Sequence, residues 1–535
     1  MTLRSLLLTL LLLVMEAAAV HAQIYVDARR INGQNDGTSW ADAYTDLQDA
    51  LAVATGTDEI WIAEGTYRPG TDRSDSFTIT GAQDGLKIYG GFAGTEQERS
   101  QRDPVAHEVV LSGDVGDANV FSDNSYHVVT IDGRSQEEGG GGPITHETVL
   151  DGVTIVGGHA DGASTDYDDR GAGMLCLGIG AGSACSPNLT RIVFFSNAAS
   201  TMGGGLHLWS NDEGESKPVI TNGVFANNAA PEGAGLANNG AIGGDTSPVL
   251  INALFVDNAA DNGGGMSSSG ILGVSSPVVI NATFADNTAR FGGGAVFSTG
   301  GRGTSQPSFT NVILWGNTTQ FGGAQMLNND AQPTLTNTLV EGGIQGGGIE
   351  NRGGGQLLDG GGNLDVDPLF ANAPDPNGLD NAFGTEDDGL RLLPGSPALD
   401  AGTNAALPAD RGDLDRDADT TEVLPVGLAG TARVVDNDAD PGTPARVDLG
   451  AYEAAPDTQL PVELTAFTAR RDGEAIRLAW TTASETNNAG FEVQRRRSGN
   501  EDADAWEPLG FVEGRGTTTE AQTYRFTDRD LPYAA

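Results

Sequence analysis

Four groupings of side chains have the types and spacing to do chemistry. Asp166, Asp168, Asp169 and Arg170 stand together. Clustered aspartates can hold Ca²⁺ and a neighbouring Arg can act as a base, the two functions a polysaccharide lyase needs. A solvated loop in a very acidic chain gives the same pattern, so no catalytic residue is assigned from it. Asp413, Asp415, Asp417 and Asp419 alternate as D-x-D-x-D-x-D, the spacing of the front half of a calcium loop. Ala418 stands where such a loop carries glycine, and no Glu is well placed at its end. Asp436, Asn437, Asp438 and Asp440 form a weaker second candidate. Ca²⁺ is the one cofactor these patterns suggest. Asp257 and Asp286 share one place in successive repeats, where close approach would bind a cation or raise a pKa, and a wet turn would let them splay apart. There is no zinc cluster, nucleophile elbow or phosphate loop. His107, His127, His146, His159 and His207 are scattered and expected to be structural.

The elements that must position these groups are legible from a repeat. Pro187, Pro218, Pro248, Pro277, Pro307 and Pro333 are spaced by 31, 30, 29, 30 and 26 residues, and each opens a short β-like run such as PVIT or PVVI. The second residue after each is apolar: Leu189, Ile220, Leu250, Val279, Phe309, Leu335. The seventh is Phe194, Phe225, Phe255, Phe284, Leu314 or Val340. Asn222, Asn252, Asn281, Asn311 and Asn337 recur at one turn, and Asn197, Asn228, Asn258, Asn287 and Asn317 at another. Glycine clusters such as Gly263-Gly264-Gly265 close the units. No unit has a helical 3.6-residue pattern, and a propeller blade would be longer. The repeat therefore predicts an all-β solenoid, one coil per unit, stacked through parallel hydrogen bonds about 4.8 Å apart. The apolar and Phe positions point inward and stack on their own copies, and the Asn positions form ladders. Val256, beside Phe255, is expected to face solvent.

The units FANN, FVDN and FADN, followed by Gly-Gly, resemble the repeats of polymorphic outer-membrane proteins, which are right-handed parallel β-helices. LDGVTIVGGHA at Leu150–Ala160 looks like an earlier coil of the same kind. The block from Tyr25 to Leu51, with DEIWIAEGTY after it, resembles the start of pectate-lyase-like β-helices. Trp40, Tyr44, Leu47 and Leu51 would share a face of a helix over residues 40–54, capping the open end of the stack.

After Gly362 the pattern changes. DVDPLF at Asp365–Phe370, LRLLPGSPALDAG at Leu390–Gly402 and VDLGAYE at Val447–Glu453 resemble the choice-of-anchor Q domain, which closes the C-terminal side of a β-helix in surface-anchored proteins. A linker over residues 454–459 leads to residues 460–535, which resemble part of a fibronectin type III module found before the sorting tail of type IX secretion substrates. Trp480, Phe491, Val493 and Phe526 are its candidate core. The domains expected are thus a signal peptide at 1–22, a β-helix with its cap at 23–362, the anchor-Q-like part at 363–453, and a small β-sandwich.

The N-terminus supports export. Arg4, the apolar run Leu6–Met15 and Val20-His21-Ala22 have the form of a secretory signal peptide, too short to span a bilayer, which needs roughly 20 apolar residues. In an oxidising compartment Cys176 and Cys185 are expected to form a disulfide, the alternative being two free thiols. The 73 acidic against 29 basic residues, only two of them lysines, give a formal net charge of −44. Such a surface repels nucleic acid and anionic lipid. Because the acids are spread along the chain, adaptation to high salt is favoured over a massed cation site. The resemblances imply a monomeric protein, secreted or attached to the outer surface of a Gram-negative cell, handled by export and anchoring machinery. Two functions fit: an adhesin or glycan-binding scaffold, or a polysaccharide lyase or glycoside hydrolase. The exposed coil positions, rich in Ser, Thr, Asn and Gly with no evident aromatic cleft, favour the first.

Overall fold

The structure is a computed structural model and describes residues 23–118, 120–415, 419–436, 444–454, 462–473, 475–495, 507–518 and 521–529. The expected signal peptide, Asp417, Asn437, Asp438, Asp440 and nearly all of the linker lie outside the described residues. What is described is almost entirely β, with one α-helix and three parallel sheets of 18, 9 and 6 strands, an arrangement consistent with a parallel β-helix.

One coil shows how the sequence builds it. Val219–Thr221 and Val224–Ala226 lie in the first sheet, Ala229–Glu232 in the third and Leu236–Gly240 in the second. The corners between them fall at Asn222, Asn227 and Gly233, all at positive φ (54°, 54° and 58°). Asn and Gly enter that region at least cost, which is why they punctuate each repeat. The next coil pairs in parallel with no slip: Ile220 with Leu250, Phe225 with Phe255, Leu236 with Met266.

In-register stacking puts like on like. Phe194, Phe225, Phe255 and Phe284 are fully buried, and their ring centroids follow one another at 4.9, 4.5 and 4.4 Å, stacked with nearly parallel planes. Leu314 and Val340 continue the column. The Asn column at 197, 228, 258, 287 and 317 is also buried and fully engaged. Asn228, Asn258 and Asn287 each donate from Nδ2 to the Asn Oδ1 of the next coil and to the Phe carbonyl of the one before, as Asn228 does to Asn258 at 3.0 Å and to Phe194 at 2.9 Å, while Asn197 takes the Ile155 carbonyl and Asn317 the Gln325 Oε1 in place of one of these partners. The ladder begins on Gly158 N–H, which donates to Asn197, and ends on Gln325, whose side chain meets Glu341. A buried amide column is tolerable only when every member is paired, and here each is.

The cysteines form a disulfide. Cys185 lies one residue after the bridge that aligns Ala184 with Glu215, Asp245 and Val274 in later coils. The column through Cys176 carries Asn238 and Ser268 further on. The corner closed there by sulfur is closed two coils beyond Ser216 by the Ser268–Ser275 hydroxyl pair at 2.9 Å.

The described residues of 365–453 add no further coils. They run back along the outer face of the first sheet. Leu390, Leu428, Ala451 and Tyr452 pack on Val224, Leu254, Val256 and Ala285. Leu392, Ala398 and Leu449 pack on Ile313 and Leu339, and Leu414 and Leu424 on Val219 and Ile251. Val256 is therefore 1 % exposed rather than solvent-facing: the outward side of this sheet is a second core. The motif Val447–Glu453 is held by buried polar contacts. Arg433 is fully buried, donates to the carbonyls of Asp448, Gly450 and Ala451, and stands 3.7 Å from Glu453. Glu453 accepts from Val435 and Asp448 N–H, Asp448 from Asp400 and Ala454 N–H, and Asp388 from the Tyr452 hydroxyl at 2.6 Å.

The N-terminal helix is shorter than its periodicity predicts. Trp40–Asp42 is one 3₁₀ turn, Tyr44 bridges Val26 as extended chain, and the α-helix spans Leu47–Val53, N-capped by Asp46. The backbone of Tyr44 trades hydrogen bonds with Tyr25 and Asp27, which a helix through it would forfeit. Leu47, Ala50 and Leu51 still enter the main core. The separate unit after residue 454 is a four-stranded antiparallel sheet in which Ala475–Arg495 pairs with all three other strands. Trp480, Val493 and Tyr524 are buried, with Phe491 and Phe526 half-buried against them. No second sheet is formed among its described residues.

Candidate functional site

On the second sheet, side chains alternate. Val129, Ile131, Met174, Cys176, Leu206 and Leu208 enter the core. Thr130, Asp132, Leu175, Leu177, His207 and Trp209 take the other face. Parallel pairing aligns Thr130, Leu175 and His207 in one row and Asp132, Leu177 and Trp209 in the next. The loop Asp161–Arg170, an extension of its coil, folds over these rows. Between loop and sheet lies a groove of about 300 Å³, lined by His127, Thr130, Asp132, Arg134, Tyr167 and Asp168 among others.

The loop brings part of the acidic cluster here and turns part of it away. Asp166 and Asp168 line the groove. Asp169 is buried and held by Arg170 at 2.6 and 3.0 Å, and by Ser164. Burial alone would raise the Asp169 carboxyl, but the hydrogen bonds of Arg170 and Ser164 outweigh it and hold the group below the usual range. The three aspartates therefore do not converge as one calcium cage. Arg170 also lies over the rings of Trp209 and Tyr167, 5.4 and 5.9 Å from their centroids. Across the groove Arg134 grips Asp132 through two contacts of 2.9 and 2.8 Å.

Tyr167 sits at φ 67°, a conformation a bulky residue adopts only when its surroundings impose it. Its ring packs on Leu175 and Leu177. The His127 Nδ1 is 3.0 Å from the Gly171 carbonyl, which fixes a proton on Nδ1. Nε2 then lies 3.7 Å from an Asp168 carboxylate oxygen with no hydrogen bond of its own. Neutral, that nitrogen accepts; protonated, it pairs with Asp168. His207 is pushed down to about 3, by burial first and by Arg170 second, so its ring is neutral.

No family model, no curated protein and no solved structure matches this chain. The site is therefore read from its own geometry.

The other sequence candidates are placed as follows. Asp413 faces Arg99 at 3.3 Å, and Asp419 accepts from the Thr421 N–H and hydroxyl. Asp415 instead joins Asp410 and Glu422, whose ligand atoms lie within 4.8 Å of one another. Asp413, Asp415 and Asp419 thus point to different partners. Asp257 and Asp286 occupy the positive-φ turn of successive coils. Both carboxyls are raised by partial burial, Asp286 also by Asp257 and Glu341.

A larger cleft, about 580 Å³, lies between the first sheet and the flanking segment. Its lining is mainly apolar and its main polar groups are committed. Arg191 chelates the buried Asp151 at 2.9 and 2.6 Å, Arg102 holds Asp151 from the other side, and Thr154 donates to Glu108. The smaller groove is the better candidate because its polar groups converge on open space. Sequence reasoning missed His127, Asp132, Arg134, Leu175 and Leu177 as members of one site. The signal that unites them is sheet register, which the early coils hide because they lack the Pro and Asn marks of the later ones.

Proposed function

We propose that this chain is an exported, right-handed parallel β-helix protein of the bacterial surface that holds a glycan in the groove of its second sheet, as an adhesin or glycan-binding scaffold. The observation that carries the reading is the groove itself. An aromatic ring, Tyr167, is fixed in a costly backbone conformation beside carboxylates, an arginine, a threonine hydroxyl and an imidazole. An apolar ring face with a few convergent donors and acceptors is the surface that suits a sugar. The signal-like N-terminus and the anchor-Q-like motifs support a surface destination. A second reading has one specific observation behind it: His127 and Asp168 stand as an acid–base pair, as a lyase or hydrolase would need.

One experiment separates them. A panel of neutral and acidic glycans is screened in high salt, with binding and turnover recorded together. The proposal expects binding without turnover, lost in Tyr167→Ala. Turnover abolished by His127→Gln would replace it with the enzymatic reading, and no binding by any glycan would overturn both.

A further inference from the structure

The apolar rows on the outer face of the first sheet outrun the segment that covers them. Val193, Val224, Leu254, Thr283 and Ile313 follow one another in parallel register, and so do Phe195, Ala226, Val256 and Ala285. From Val224 and Ala226 onward every one of these residues is buried, at 2 % exposure or less. One coil earlier the cover stops. Val193 is half-buried, and Phe195, the bulkiest of them, is 37 % exposed.

The 580 Å³ cleft lies over these early coils. One wall holds Pro104 and Val105, from the stretch between the strands Lys87–Phe92 and Val109–Ser112. Val105 is 60 % exposed. The opposite wall holds Phe383, Leu428 and Ala429 of the flanking segment. These three, with Val193 and Val224, also belong to the second core that the flanking segment makes with the sheet. The cleft is therefore the open end of that core, not a separate hollow. Apolar side chains exposed singly need no reason, but a concave strip of them continuous with a core does.

The polar lining decides what kind of molecule fits. Its three charged side chains are Glu108, Arg191 and Asp380. Arg191 is taken up by Asp151 and by the Leu414 carbonyl at 3.4 Å. Asn222 accepts from Asn252 at 3.0 Å and donates to the Gly427 carbonyl at 3.5 Å. Glu108 and Asp380 are exposed, and both are acidic. A charged group drawn into the cleft would find no uncommitted partner among these side chains, and burying charge unpaired is costly. An anionic group left near Glu108 and Asp380 would be repelled, as it would by the chain's net charge of −44. The remaining surface is mostly aliphatic, with Val105, Val193, Val224, Leu414, Val426 and Leu428 in it. The volume falls in the range of small-molecule sites, about 300–1,000 Å³.

We propose that this cleft binds the alkyl chain of a single uncharged amphiphile, which continues the second core over Val193 and Phe195. The proposal makes no use of the glycan groove on the second sheet.

Fluorescence of the neutral probe N-phenyl-1-naphthylamine tests this on the full chain, at the lowest salt in which the protein stays folded. One probe should bind per chain. Sub-micellar 1-decanol and decyl maltoside should displace it, and decanoate should do so several-fold more weakly. Val105→Asp and Phe195→Ser change exposed side chains, so both proteins should melt close to the wild type while binding the probe several-fold more weakly. Phe321→Ser removes an exposed ring outside the cleft and should leave binding unchanged. Sedimentation with phosphatidylcholine vesicles should capture none of these proteins. Equal binding by all four proteins, or none by the wild type, would overturn the site. Displacement by decanoate as strong as by decanol would overturn the uncharged ligand. Vesicle capture lost in Val105→Asp would replace the single amphiphile with a bilayer.

Discussion

The Oδ1 atom of Asn287 accepts two hydrogen bonds from Asn258, one from its backbone N–H at 3.1 Å and one from its side-chain amide at 2.8 Å. Asn258 also donates to the Phe225 carbonyl at 2.8 Å, so one side chain ties three coils. Asn258→Ala strands several buried groups. At about 1–3 kcal/mol for each group left unpaired, it should cost at least about 2 kcal/mol in denaturant unfolding. Asn258→Asp should be worse at neutral pH, since it sets a carboxylate against two oxygens. A loss below about 0.5 kcal/mol, the usual range of surface changes, would show that the ladder is incidental.

Val256 tests the flanking segment. Its side chain is closed in by the Leu390 and Tyr452 cluster. Val256→Ala should cost about 1.5–3 kcal/mol, two methyl-sized groups plus a cavity term. A near-neutral result would mean that residues 365–453 do not cover the first sheet in solution.

The flanking segment should also be sensitive to pH. Burial pushes Asp388 and Asp448 each up to about 6, against the outweighed pull of their hydrogen bonds. Because the folded pKa lies above the unfolded value of 3.8, their contribution favours folding most below pH 4 and is lost as pH rises through 6. Each is worth up to about 3 kcal/mol by the usual 1.36 kcal/mol per unit. Asp388→Asn should flatten the fall in melting temperature between pH 4 and pH 7, and an unchanged slope would contradict the assignment.

Salt should stabilise this chain. The Debye length falls from about 10 Å at 0.1 M to about 3 Å at 1 M, and a formal charge of −44 then repels itself less. Melting temperature should climb across that range. A flat profile would mean that the acids are paired locally or hold metal.

The repeated coils were legible because stacking imposes residue identity: the same Phe and the same Asn must recur for the columns to close. The inward positions predicted at Leu189 through Leu335 are all fully buried. Val256 was misjudged for a reason intrinsic to sheets. Alternation distinguishes two faces, but it does not say which face a distant segment will cover. The helix over residues 40–54 was overextended because apolar spacing at Trp40 and Tyr44 fits both a helix and the mixed turn and bridge observed. The groove was half legible. Its Asp cluster stood out in the sequence, while His127 and Asp132 lie one coil before the Leu175 and Leu177 that share the groove with them.

Hydrogen exchange of Phe255→Ala tests the stacked-coil account most directly. The Phe255 ring lies 4.5 and 4.4 Å from its neighbours above and below. Its removal should cost about 3–5 kcal/mol, as large-to-small core changes do, and in a stack whose coils contact only their neighbours the damage should stay local. Protection should fall across residues 219–285, with the helix Leu47–Val53 little changed. An equal loss of protection throughout residues 23–362, or none near Phe225 and Phe284, would contradict the stack on which the groove is built.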